Sequence, residues 1–488
     1  MAPTGGPSAA ARCAESAAGA ASPEPTILDV IDRRMCVGCG ACSVRTGGAI
    51  SVQIGRYGYY EADASGVGRD ALAAAARTCP FADESPDEDQ VSGEVFGEEL
   101  PRDPRIGRYR GTYAGRLTDE DDIYRSSSGG LTSWFLAQLL ERGEVDRVVH
   151  VGPTSGGPRL FEYRTAETPD ELLNSRKSAY YSTTFASVVA ELRGDGKTYA
   201  LVGVPCFVQA MRLLMREDEV LAAQFGCLVG IVCGHMKASG FAESLAWQEG
   251  IAPDDLERVD FRIKDPGASA KRYRFGAWGA GSTRLATELP GRLVGGQWGH
   301  ASFQLNACNF CDDVYAESAD VVFGDAWIPR YEADPRGTNV VVTRTEAAER
   351  ILRSGAEHGK VHLEPVTTEE LAQAQAGNFR HRRDGLAVRL ADDVADGKWV
   401  PRKRVAPGYG VPRRRVRLVR ERRKLSELSF ELFERAKAAG DLNVYLEPMR
   451  PLVRKHDRLS RPITQRLRGR LKGEAWRLVR RARRALAR

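Results

Sequence analysis

Three cysteines at C-x2-C-x2-C spacing, Cys36, Cys39 and Cys42, are followed 37 residues later by Cys79-Pro80. One tight loop can aim three thiolates of that spacing at a single cubane, and a distant Cys-Pro completes the ligand set of a ferredoxin-type [4Fe–4S] cluster. Gly38 and Gly40 remove side chains where backbone N–H groups must approach the sulfurs. C-x2-C pairs also bind zinc. The third cysteine at the same interval and the trailing proline favour iron–sulfur, so the chain is expected to move electrons.

A chain of 488 residues with 42% hydrophobic content has room for two or three domains. Its ten cysteines occur without a leucine-rich secretory signal, which points to metal ligands rather than disulfides. The longest apolar runs, such as 226–234, are far short of a membrane span. Residues 1–25, rich in Ala, Pro, Gly and Ser, read as a disordered leader of a cytoplasmic protein. The net charge of +6 hides a split. Residues 401–488 carry 28 Lys and Arg against 8 Asp and Glu, a net of +20, which leaves the first 400 at −14. The basic segment calls for an acidic partner, while the body does not.

The pattern along the chain predicts an α/β protein. Residues 26–81 form a ferredoxin-like α+β domain, with strands at 49–52 and 57–60 and a helix at 70–78 that delivers Cys79. Residues 82–104, acidic and proline-containing, read as a linker. Residues 105–400 alternate strand and helix signals. Strands are expected at 145–151, 198–204, 227–233, 259–263, 272–275, 320–323 and 339–343. Helices are expected after Gly130, from Glu171, and at 185–192, 207–215 and 241–249. This alternation implies a largely parallel or mixed sheet. Residues 401–488 read as a basic helical tail.

A second group of thiols falls inside the α/β body. Cys206 and Cys233 each follow an apolar strand, and Cys308-Asn309-Phe310-Cys311 adds a C-x2-C pair. Ends of adjacent strands lie close together, so these four can converge on an iron–sulfur cluster or zinc. Spacing alone equally allows Cys206 and Cys233 to be small buried hydrophobes.

Ser128-Gly129-Gly130, Lys177-Ser178-Ala179-Tyr180, Val202-Gly203-Val204-Pro205-Cys206, Cys233-Gly234-His235, Cys308-x2-Cys311-Asp312 and 319–325 (ADVVFGD) occur in this order. Jointly they resemble the coenzyme F420 hydrogenase/dehydrogenase beta-subunit family, which includes 7-hydroxymethyl chlorophyll a reductase, over residues 30–390. The resemblance implies a larger mixed-sheet domain at 105–400 that binds FAD and a [4Fe–4S] cluster. It assigns Cys206, Cys233, Cys308 and Cys311 as the ligands of that cluster, giving two [4Fe–4S] clusters in all. Cys13 and Cys227 match no motif. Coenzyme F420, a deazaflavin, is the implied co-substrate.

FAD needs N–H donors for its pyrophosphate, and small residues ahead of a helix supply them. Ser127, Ser128, Gly129 and Gly130 precede the helix that begins near Leu131. The same pattern also serves as an ordinary helix cap. Lys177, Ser178 and Tyr180 are further flavin candidates, as are Gly203, Val204 and Pro205 beside Cys206. His235 and Lys237, just past Cys233, are the candidates to face a substrate; for a lone histidine a structural role is as good a reading. The implied function is an iron–sulfur flavoprotein oxidoreductase passing electrons between coenzyme F420 and its clusters. Two other functions fit the residues: a ferredoxin-driven reductase of an organic substrate, and a non-catalytic iron–sulfur relay. The expected partner is a redox protein or small electron acceptor. Nucleic acid is not expected, because the tail is poor in stacking aromatics. Residues 473–488 have the spacing of a basic amphipathic helix, for which docking on the acidic body, a protein partner or peripheral membrane contact are open, as is a homo-oligomer.

Overall fold

The structure, a computed structural model, describes residues 24–460 apart from 155, 156, 158, 283 and 284. Nearly all of the expected leader, Cys13 and the amphipathic helix at 473–488 lie outside the described residues.

The body is built on an eight-stranded mixed sheet. Its strands are β1 (Gly111–Leu117), β2 (Arg147–Pro153), β3 (Phe161–Ala166), β4 (Tyr199–Gly203), β5 (Phe225–Ile231), β6 (Val321–Asp325), β7 (Asn339–Thr343) and β8 (Val361–Pro365). The spatial order is β8-β1-β7-β6-β5-β4-β2-β3. The central run β6-β5-β4-β2 is parallel, and both flanks are antiparallel. The centre is covered on both faces, so its strands read as continuous apolar runs. All five residues of β7, Asn339 to Thr343, are buried. A three-stranded antiparallel sheet, Leu256–Ile263, Arg274–Gly279 and Ala286–Glu288, stands beside it.

Ahead of the body, an antiparallel hairpin pairs Ser51–Ile54 with Tyr60–Asp63, and the helix Arg69–Ala76 leads to Cys79. The strand expected at 57–60 begins only at Tyr60, because 57–59 form the turn. Gly58 there has φ +71°, and a Cβ would meet the Ser239 hydroxyl at 2.2 Å. This unit is seated on the body: Ser239 N–H donates to Gly58 O (3.0 Å), Tyr60 N–H to Ser182 Oγ (3.1 Å), and Phe185 N–H to Cys39 O (3.1 Å). One apolar core runs from Ile27 through Phe207 to Met449.

Two expectations are corrected. Residues 82–104 are not a free linker. Asp87 and Gln90 form a reciprocal capping box (3.0 and 3.1 Å) that starts the helix Glu88–Phe96, and Val91 on it is fully buried. The acidic side chains answer a cation from far downstream: Arg404 lies 3.5 Å from Glu88, 3.3 Å from Asp89 and 2.8 Å from Glu317. From Arg413 on, the described part of 401–488 is helical, yet it is not an appended tail. Helices α3 (Arg413–Ala439) and α4 (Asn443–Ser460) form a hairpin that packs Phe433, Tyr445 and Met449 into the core. Its cations meet the acidic body, with Arg423 bidentate on Asp393 (2.8 and 3.0 Å) and Arg420 on Asp392. Here α1 denotes Leu131–Glu141 and α2 Pro205–Glu217.

Candidate functional site

A cavity of about 310 Å³ opens at the carboxyl ends of the parallel strands, the usual ligand position in such sheets. Ser127, Ser128, Gly130, Lys177, Ser178, Tyr180, Gly203, Val204, His235 and Lys237 all line it. Gly129 and Pro205 do not. Gly129 faces the sheet: a Cβ there would meet Gly115 O and Asn339 Oδ1, each at 2.8 Å. Pro205 opens α2, where its fixed φ suits the first helical position.

Local forces shape the turn at 126–130. Gly130 adopts φ +86° as it caps α1, and Asn339 Oδ1 accepts the Leu131 N–H (3.1 Å). The N–H groups of Thr132 and Ser133, both on the cavity wall, have no intrahelical acceptor at this helix start. Lys264 holds the turn from behind, donating to Ile123 O, Ser128 O and Arg336 O at 2.6, 2.7 and 2.6 Å. Burial, then Arg262 and Lys177, bring its pKa down to about 7. Ser127 Oγ accepts the Ser178 N–H (2.9 Å), which ties the turn to the Lys177 segment. Lys177 itself pairs with Asp260 (3.0 Å). Because Gly129 abuts backbone, Gly129→Val is expected to lower stability by about 1–3 kcal/mol through overpacking. The denaturation midpoint should fall accordingly; an unchanged midpoint would contradict this packing.

The far wall is aromatic and cationic. Tyr180 packs against Trp298 (4.8 Å) and Phe261 (5.1 Å), and Arg262 grips Asp325 with both terminal nitrogens (2.7 and 3.0 Å). Burial opposes the Arg262 charge, but Asp325, Tyr180 and Tyr273 outweigh it and raise its pKa. His235 stacks on Trp298 at 4.1 Å. Burial, then the charges of Lys237, Arg422 and Arg382, push the His235 pKa well below its usual value, so the ring is neutral at pH 7. Lys237 is fully buried, donates to Ser302 O, and lies 4.3 Å from the Phe241 ring. Burial, then Arg422, pull its ammonium well below the ordinary range. Sequence reading missed Trp298, Arg262 and Lys264. Trp298 lies in a 3-10 turn without periodicity. Arg262 and Lys264 fall at the end of a strand that already carries Glu257, Arg258 and Asp260, so two more charges there are a weak signal.

The thiols fall into two groups, in which Cys39, Cys42, Cys233, Cys308 and Cys311 are buried and Cys36, Cys79 and Cys206 half-buried. Burial pushes the Cys42 thiol up, and the charges of Cys36, Cys39 and Cys79 push it further, so these four converge. Burial likewise raises Cys79 to about 12, against N–H bonds from Phe81 and Ala82. Gly38 N–H donates to Cys36 Sγ (3.3 Å). In the second group, burial and then Cys311, Cys233, Cys308 and Cys39 raise Cys206. Burial takes Cys233 to about 12 and Cys311 to about 11. Met236 N–H donates to Cys308 Sγ (3.2 Å), and Arg382 donates to Cys311 Sγ. Cys233 also lines the cavity. Cys227, on β5, is raised by burial and then by Asp320, with no thiol among the causes. Tyr163 joins the three features. It lines the cavity, stacks on Phe207 (5.8 Å), and after burial is raised by both Cys206 and Cys39.

Among the described residues, no helix is long and apolar enough to cross a membrane. Several known proteins are similar. The coenzyme F420 hydrogenase subunit beta of Methanothermobacter thermautotrophicus is 24% identical over 277 residues, covering 54% of this chain and 86% of that protein. A subunit of the F(420)H(2) dehydrogenase of Methanosarcina mazei is 24% identical over 376 residues, covering 73% of this chain and 94% of that one. A solved chain from the F420-reducing [NiFe] hydrogenase complex of Methanosarcina barkeri aligns with a TM-score of 0.47 at 17% identity, covering 62% of this chain and 98% of that one. Residues 112–190 match the N-terminal, and residues 196–369 the C-terminal, description of the coenzyme F420 hydrogenase/dehydrogenase beta subunit. Those two matches take in half of the chain, which belongs to the coenzyme F420 hydrogenase/dehydrogenase beta-subunit family.

Proposed function

We propose that this chain is an iron–sulfur flavoprotein oxidoreductase that exchanges electrons with coenzyme F420. The observation that carries the reading is a cavity walled by Cys233 of one thiol quartet and by Tyr163, whose hydroxyl feels one thiol of each quartet, Cys206 and Cys39. The relatives named for coenzyme F420 bring that co-substrate to the reading, and the hydrogenase subunits among them favour a protein redox partner.

The residues suit the groups proposed. Cys36, Cys39, Cys42 and Cys79 would hold one [4Fe–4S] cluster, and Cys206, Cys233, Cys308 and Cys311 the other. Buried thiols this close repel as thiolates, so each quartet calls for a cationic centre. Among the described residues, the trio of potential ligands that closes to within 4.8 Å is His300, His456 and Asp457, and no three thiols do so. Tetrahedral zinc with arms of about 2.3 Å would draw its thiolates to about 3.8 Å apart, so the wider spacing favours a cluster. N–H donors at Cys36 and Cys308 would stabilise charge on the sulfurs.

The cavity volume lies at the lower end of the roughly 300–1,000 Å³ of ligand sites, which suits a flavin ring with its tail extending outward. Bound FAD would supply the exchange between hydride and single-electron chemistry. The chain's own residues bind, orient and exclude water. Thr132 and Ser133 N–H at the α1 start favour an anionic phosphate, with Lys177 beside them. Tyr180, Trp298 and Phe261 pack a dry wall for an aromatic ring. Neutral His235 and desolvated Lys237 line the cavity as the polar groups nearest Cys233.

Reduced coenzyme F420 and a viologen dye, added to anaerobically purified protein, test the reading. Dye reduction that requires both coenzyme and protein is expected. A protein replete in iron and flavin that reduces no dye would overturn it.

A further inference from the structure

The second thiol quartet is surrounded by cations whose hydrogen bonds go to groups without a negative charge of their own. Arg382 donates to Cys311 Sγ and to Gly234 O (3.2 Å). Arg389 donates to Asn309 O (2.7 Å), inside the Cys308–Cys311 loop, and to His381 O (2.9 Å). Lys237 donates to Ser302 O. Arg422 reaches His235 Nδ1 and Gln304 Oε1, each at 3.2 Å. Lys237, Arg382 and Arg389 are buried, and Nε of Arg382 and of Arg422 is buried without a partner. Of the nearby carboxyls, Asp312 lies 3.3 Å from Arg404, and Asp313 accepts the Glu317 N–H (2.9 Å) and favours the Arg382 charge less than Cys311, Cys233 and Cys308 do.

Burying a charge without a counter-ion costs several kcal/mol, and like charges gathered together cost more. Three guanidiniums in one shell, with desolvated Lys237 beside them, need an anion. Resting on the proposed function, that anion is the iron–sulfur centre, whose four thiolates outweigh the positive charge of its core. Burial pushes the Cys308 thiol up, and Arg382, Lys237 and Arg422 pull it back. Three of the four, Arg382, Arg389 and Arg422, lie past residue 369, where the family match ends, and Arg422 is the farthest along the chain. Arg422 lies on α3, beyond the residues 112–369 over which the family match extends.

We infer that the C-terminal helical hairpin is a redox-tuning element: it sets Arg422 against the Cys206/Cys233/Cys308/Cys311 centre and raises that centre's reduction potential. Reduction adds one negative charge to the centre. A fixed positive charge beside it therefore favours the reduced form, and removing that charge lowers the potential. Arg422 acts as a positioning and electrostatic residue and transfers nothing itself.

The test is a mediated potentiometric titration of the full-length, anaerobically purified protein, followed by electron paramagnetic resonance. A Cys39→Ser protein identifies which signal belongs to which centre. Arg422→Met is expected to shift the second centre to lower potential and leave the first in place. Arg422→Lys, which keeps the charge, is expected to shift it less. Arg420→Gln, on the same helix but pairing with Asp392, is expected to shift neither. An unmoved second centre in an iron-replete Arg422→Met protein would overturn the assignment, as would an equal shift of both centres. Iron absent from the unmodified protein would overturn the parent reading, and this assignment with it.

Discussion

Replacing Cys39 with Ser is expected to halve the iron of the anaerobically purified protein, from about eight atoms per chain to about four by cubane stoichiometry. Cys311→Ser is expected to remove the other half. The two losses are independent because each quartet is held by its own backbone. Cys36, Cys39 and Cys42 sit on the loop that ends in the short helix Ala41–Arg45, and Cys79 follows Arg69–Ala76. Cys206 lies in the first turn of α2, Cys233 just beyond β5, and Cys308 in a 3-10 turn, with Cys311 two residues past it. Cys227→Ser serves as the control and should leave iron unchanged, since no thiol contributes to its environment. Stoichiometric zinc, or near four iron atoms in the unmodified protein, would defeat the assignment of two clusters.

How much of this could be read beforehand depended on how local each signal is. The first quartet is legible because three ligands share seven residues and their chemistry needs no tertiary knowledge. The second is dispersed over 206–311, and only the joint order of its motifs brought the four cysteines together. Parallel strands such as β4 and β5 announced themselves as buried apolar runs. Strand β1, Gly-Thr-Tyr-Ala-Gly-Arg-Leu, did not, because two glycines and an arginine interrupt any apolar pattern. The stretch 82–104 has the composition of a linker, and its meaning is set by Arg404, more than 300 residues away. Likewise the cations at 401–460 read as a basic tail in want of an acidic partner, and only the fold shows that Asp392, Asp393 and Glu243 receive them. Long-range ion pairing leaves no periodic trace in a sequence.

A bulky side chain on the cavity wall is expected to do what one at Gly129 cannot. Ser133 stands in the first turn of α1 with its side chain partly exposed and on the wall. Ser133→Tyr puts an aromatic ring into a space of about 310 Å³. The helix start, capped through Gly130 and Asn339, stays intact, so the denaturation midpoint of the flavin-free protein should hold. Flavin affinity should fall at least about tenfold, equivalent to ~1.4 kcal/mol. Gly129→Val should give the reverse pattern, a lower midpoint caused by the clash with Gly115 O and Asn339 Oδ1. Reconstituting each variant with FAD, and reading flavin absorbance after gel filtration beside a thermal melt, separates the two effects. Full flavin occupancy in Ser133→Tyr would mean that the ring lies elsewhere. The turn at 126–130 would then be a structural cap held by Lys264, with no part in binding a cofactor.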